Sequence, residues 1–174
     1  ILTEYGAYNA YTIPILTVPS FFIMAISSSL IPEISKFYLK KNYKLVKKRL
    51  KEALIFSLII GISYSILIIL FGSKILYLLY KTTLGSNYMY ILSFIFPLFY
   101  IEAILISFLQ SIDKANITMK ITIIGVIIKL ISLSIFSLLH VGMYALVISE
   151  IINILLVVLL NIIFVKKELK KMIL

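Results

Sequence analysis

The sequence has no cysteine, no tryptophan and a single histidine, and it carries only seven acidic residues against 17 basic ones. Without cysteine there is no disulfide framework and no thiolate metal site. One histidine, His140, cannot build a histidine-based zinc cluster. Charged residues make up 14% of the chain, against about 25% in an ordinary soluble domain. Hydrophobic residues reach 62%. That balance excludes a soluble enzyme domain, and it equally excludes disorder, which needs few apolar residues. Enzyme signatures are missing too: no H-E-x-x-H, no G-x-S-x-G and no G-x-x-x-x-G-K-[ST] phosphate loop. The expectation is no catalytic group, no metal and no cofactor.

What the chain does have is long apolar runs, with a mean hydropathy of +1.13. A spanning helix needs about 20 mostly apolar residues. Five such runs occur, at 11–31, 53–80, 88–110, 121–139 and 143–165. The expected fold class is therefore an all-α integral membrane protein with five transmembrane helices. The chain begins at Ile1 rather than at methionine, which suggests a piece of a longer protein.

The net charge of +10 sits at the ends of these runs. Eight basic residues fall between Lys36 and Lys51, and four more, Lys166, Lys167, Lys170 and Lys171, close the chain. Such flanks follow the positive-inside rule, so the charge calls for a lipid bilayer as partner and not for nucleic acid. Placing the basic loops in the cytoplasm gives a multi-pass protein of the cell membrane, its N-terminus outside and its C-terminus cytoplasmic. The Asn116-Ile-Thr118 sequon then falls on the cytoplasmic side and is discounted. Within 36–52, Leu39, Tyr43, Val46 and Leu50 recur at helical spacing. This predicts an amphipathic cytoplasmic connecting helix lying along the inner leaflet.

Local signals refine the spans. Tyr5, Tyr8, Tyr11, Tyr77, Tyr80, Tyr88 and Tyr90 gather at the outer ends, as an aromatic belt would. Pro14 and Pro19 in the first span and Pro97 in the third each remove a backbone donor and predict bends. Ser57, Gly61 and Ser65 form a small-residue stripe on the second span, where another helix can approach closely.

Apart from Lys74, counted with the outer loop at 74–87, three ionisable residues interrupt the spans: Glu102, Lys129 and Glu150. Each costs about 2.5–3.5 kcal/mol at a helix centre and so should face protein or water. Counted from the apolar-run ends, Glu102 and Lys129 both lie about 12 Å from the cytoplasmic side, which predicts a mutual ion pair. The alternative is a polar lining for a transport path, with Lys129 as counter-ion for an anionic substrate group. Glu150 reads as a cation or proton site or as a partly wet interfacial residue, and Asn153 and Asn161 as further lining. His140, beside Gly142, reads as a turn residue.

The stretch Ala10–Glu33, AYTIPILTVPSFFIMAISSSLIPE, has two prolines five apart, a small-residue run and Ile-Pro-Glu, followed by the basic connector. With Phe96-Pro97, the Phe108–Lys114 stretch FLQSIDK, Gly125-Val-Ile-Ile-Lys129-Leu and Val141-Gly-Met-Tyr-Ala145, it resembles the C-terminal bundle of polysaccharide-type flippases. These belong to the multidrug/oligosaccharidyl-lipid/polysaccharide exporter superfamily, and the likeness is to its stage V sporulation protein B-like group. The resemblance implies one bundle of a two-bundle transporter, with an N-terminal bundle of the same protein as its missing partner. It implies alternating-access flipping of a lipid-linked oligosaccharide or similar anionic lipid. Lys129, Glu102, Glu150 and Asn153 are the substrate-binding candidates. A cation-coupled multidrug exporter of the same superfamily and a membrane-embedded glycan-transferring enzyme remain as alternatives.

Overall fold

Apolar runs of this length, with lipid as their solvent, satisfy their backbone polar groups internally by coiling into helices. The computed structural model describes residues 2–172, and among these no strand occurs. The helices are α1 (Leu2–Ala7), α2 (Ile13–Thr17), α3 (Ser20–Leu39), α4 (Tyr43–Tyr80), α5 (Ser86–Ser93), α6 (Phe96–Ser111), α7 (Ala115–Leu138) and α8 (Tyr144–Lys171). A π-helical turn, Tyr8–Thr12, joins α1 to α2. Helices α4, α7 and α8 are each long and apolar enough to cross a membrane. The α1–α3 and α5–α6 pairs raise the count to five if each bent pair is one span.

The two bends sit at Pro19 and Pro97; the other predicted proline, Pro14, lies in the first turn of α2, directly after the π-helical turn, and makes no such break. The first span turns by 50° between Thr17 and Ser20, around Pro19, and the third by 55° ahead of Pro97. A proline at position i leaves the carbonyl at i−4 without its helical donor, so Pro19 leaves Ile15 with only the tighter bond from the Val18 amide at 3.2 Å, and Pro97 orphans Ser93. The chain repairs both from α4. The Tyr64 hydroxyl donates to the Ile15 carbonyl at 2.7 Å, and the Ser65 hydroxyl donates to the Ser93 carbonyl at 2.6 Å. On α6, the Tyr100 hydroxyl donates to the Leu16 carbonyl, the next acceptor exposed by the first break. Two neighbouring side chains on one uninterrupted helix thus hold both bent spans.

The small-residue stripe is what brings α4 so close. Ser57, Gly61 and Ser65 are all buried, and a Cβ on Gly61 would lie 2.8 Å from Tyr100 and 3.0 Å from the Pro97 backbone. Helix α6 lies at the centre, packed on α3, α4 and α8, while α7 leans chiefly on α8. Tyr100, Ile104, Phe108 and Leu109 on α6 are among the most buried side chains. The outward faces, such as Phe21, Phe22, Ile66 and Leu70, are exposed apolar surface suited to lipid.

Two expectations change. The basic segment 36–52 is not a separate helix lying flat. Lys36–Leu39 are the last turn of α3, Lys40–Asn42 make a tight turn with Lys41 at φ 54°, and Tyr43–Glu52 are the first turns of α4. The Asn42 side chain caps α4 by accepting from the Leu45 amide. Val46 and Leu50 of the predicted stripe are buried in the hydrophobic core of the bundle, and Leu39 is exposed. The Tyr cluster also divides. Tyr5 and Tyr77 remain exposed, but Tyr8 and Tyr88 are buried. Tyr88 stacks edge-on between Tyr8 and Tyr144, at 6.4 and 5.4 Å between ring centres.

At the opposite end from the basic hairpin, Gly85 adopts φ 89°, a conformation open to glycine at little cost. Its carbonyl accepts the Thr12 hydroxyl at 3.0 Å, tying the π-helical turn to the start of α5.

Candidate functional site

An ammonium group in an apolar helix needs a partner, and Lys129 finds it on α8. Its Nζ forms an ion pair with Glu150 Oε2, the two side chains being 34% and 18% exposed. The expected partner, Glu102, is not the one taken. The reason lies in where α7 begins. It starts at Ala115, six residues before the apolar run proper, so Lys129 stands about 21 Å along the helix from that end. Glu102 stands nine residues from the end of α6 at Ser111, about 13.5 Å. Lys129 therefore overshoots Glu102 and comes level with Glu150, six residues into α8. The antiparallel packing of α7 on α8 completes the match.

The pair opens into a cleft of about 230 Å³ lined by Tyr8, Asn9, Ile13, Thr17, Phe96 and Phe99 together with Lys129 and Glu150. One wall is the broken first span, on which Asn9, Ile13 and Thr17 recur every four residues. The opposite wall is the start of α6. Asn9 donates one amide hydrogen to the Tyr5 carbonyl at 3.1 Å, and Thr17 donates to the Ile13 carbonyl at 3.0 Å. The cleft thus combines one cation, one carboxylate and neutral polar groups in a wall otherwise built of phenylalanine and isoleucine.

The remaining candidates do not line the cleft. Glu102, on α6, is half-buried and within Coulombic range of Glu150, but it is not a wall of the cleft. Asn153, one turn beyond Glu150, points into the α7–α8 seam. Its Oδ1 is buried without a hydrogen-bond partner and occupies the notch left by Gly125, 2.7 Å from where a Cβ would stand there. Asn161 is fully buried deeper in the bundle, its amide donating to the Val157 carbonyl at 3.0 Å. His140 is an exposed turn residue at φ 57° beyond the end of α7. Among the described residues, no group of three or more histidine, cysteine or acidic side chains could hold a metal ion.

Tyr8, Asn9 and Thr17 escaped sequence reasoning because neutral polar residues at the start of a span look like interfacial anchors. The available signal is the four-residue recurrence of Asn9, Ile13 and Thr17, which puts the two polar residues on one helix face.

The family model MatE matches residues 7–135. Over 126 residues, 72% of the chain, the sequence is 25% identical to stage V sporulation protein B of Bacillus subtilis (strain 168). The match covers 24% of that protein's length. No solved structure matches the chain.

Proposed function

The chain belongs to the MatE family, within the exporter superfamily that its motifs resemble, and on that premise we propose that it is the distal bundle of a lipid flippase. The substrate class is a lipid-linked polysaccharide or cell-wall precursor with an anionic headgroup, carried across the cytoplasmic membrane by alternating access. A second bundle, N-terminal in the same protein, faces this one across the path. The N-terminus of the chain lies outside and its C-terminus lies in the cytoplasm.

The observation that carries the reading is the Lys129–Glu150 pair lining a cleft in an otherwise apolar bundle. While the cleft is empty, each charge offsets the cost of burying the other. A pyrophosphate-type headgroup brings its own negative charge and competes with Glu150 for the lysine. The displaced carboxylate then accepts from the free amide hydrogen of Asn9 or the Tyr8 hydroxyl, which line the same cleft. The lipid tail stays in the bilayer. Rocking of one bundle against the other changes the side to which the headgroup is exposed.

The test is headgroup translocation of a fluorescent lipid-linked oligosaccharide by the full natural chain in proteoliposomes. Lys129→Gln should slow flipping at least tenfold while Lys129→Arg retains most of it. Unchanged flipping in Lys129→Gln refutes the assignment. The cation-coupled exporter is favoured by one observation, a second carboxylate, Glu102, within Coulombic range of Glu150. It requires transport that follows a sodium or proton gradient and loses that dependence in Glu102→Gln.

A further inference from the structure

We infer that the α3–α4 hairpin is an upright, polybasic docking surface for anionic lipid headgroups. The hairpin has a built-in ruler. Arg49 Nε pairs with Glu33 Oε1 at 2.7 Å and its guanidinium also reaches Glu52 Oε2 at 2.9 Å, so residues 33 and 49 stand level. The apolar run of α4 begins at Ala53, and α3 is free of charge up to Pro32. The ion pair therefore marks the edge of the hydrocarbon layer on both helices. Six residues further on in α3, and six earlier in α4, bring the tip about 9 Å beyond that level. That distance is comparable to the headgroup layer and to one Debye length in physiological salt.

Charge is concentrated within this short distance. Between Glu33 and Glu52 there are eight basic residues and two acidic ones. Arg49 and Lys48 engage both acids. Among the described residues, Lys36, Lys40, Lys41, Lys44, Lys47 and Lys51 have no acidic partner, and all but Lys47 are exposed. Six lysines held this close repel one another, and long flexible stems let their ammonium groups reach down to the lipid surface. Anionic headgroups are the matching counter-charge at that depth. An acidic soluble protein is the competing occupant, but the bilayer is already present at the hairpin base and needs no recruitment.

Each lysine near an anionic surface contributes about fivefold in affinity, so removing three should weaken lipid retention about a hundredfold. The experiment uses the full natural chain in nanodiscs of phosphatidylcholine with and without phosphatidylglycerol, with bound lipid counted by native mass spectrometry. The triple variant Lys36→Gln, Lys44→Gln, Lys51→Gln should lose the retained phosphatidylglycerol. It should keep its thermal unfolding midpoint in pure phosphatidylcholine. The corresponding Lys→Arg triple should retain the lipid, and high salt should release it from the unaltered protein. Retention by the glutamine triple overturns the inference, as does loss from the arginine triple. So does unchanged lipid retention accompanied by lysine-dependent capture of an acidic soluble protein. None of these outcomes depends on flipping.

Discussion

Replacing Ser65 by alanine removes the hydroxyl that reaches the Ser93 carbonyl at 2.6 Å, in a position only 8% exposed. That carbonyl lacks a helical donor because residue 97 is proline. Leaving a buried acceptor unsatisfied costs about 1–3 kcal/mol, whereas hydrogen bonds between membrane helices average about 0.6 and reach about 1.7 kcal/mol. The expected loss for Ser65→Ala is therefore about 1–2 kcal/mol. In a Pro97→Ala background the amide of residue 97 can bond Ser93 itself, and the same substitution should then cost close to nothing. The coupling energy of the cycle should be about 1 kcal/mol or more. Reversible unfolding of the full natural chain in mixed micelles, with all four proteins measured under one condition, provides the assay. If Ser65→Ala costs the same with proline or alanine at position 97, the hydroxyl is not replacing the proline's missing donor. The account of the bent third span then fails.

The remaining predictions use the same kind of measurement. Tyr100→Phe should destabilise by about 1 kcal/mol or more, since it strips the donor from the Leu16 carbonyl; an unchanged stability would mean that water or another donor serves the first break. Gly61→Ala should cost about 1–3 kcal/mol, because the added carbon meets Tyr100 and the Pro97 backbone. A neutral result there would show that α6 can retreat from α4. Lys129→Ala should cost about 2 kcal/mol, less than a fully buried pair because a third of the lysine side chain is exposed. The double variant with Glu150→Ala should recover most of that loss, while a double variant with Glu102→Ala should not. Gly85→Ala should destabilise by about 1 kcal/mol or more, as it requires φ 89° and places a carbon 2.6 Å from the Thr12 hydroxyl.

Much of the fold is legible in the sequence because its signals are local. An apolar run long enough to cross a bilayer coils wherever it lies, and a proline removes the same hydrogen bond in any context. The bends at Pro19 and Pro97 follow from that loss, and the close approach along Ser57, Gly61 and Ser65 follows from side chains too small to hold helices apart; Pro32 loses the same bond yet lies within the unbroken helix α3. The candidate site was half legible: Lys129 and Glu150 stand out as charges in apolar helices, whereas Asn9 and Thr17 do not. The lysine's partner was decided only by tertiary structure. It depends on α7 starting at Ala115 and on its packing against α8, two facts that no residue near Lys129 encodes. The upright hairpin is of the same kind, since the apolar stripe of Val46 and Leu50 suits a lipid surface or a neighbouring helix equally well. Periodicity reports that a face will be buried, and only the packing of the whole chain decides against what.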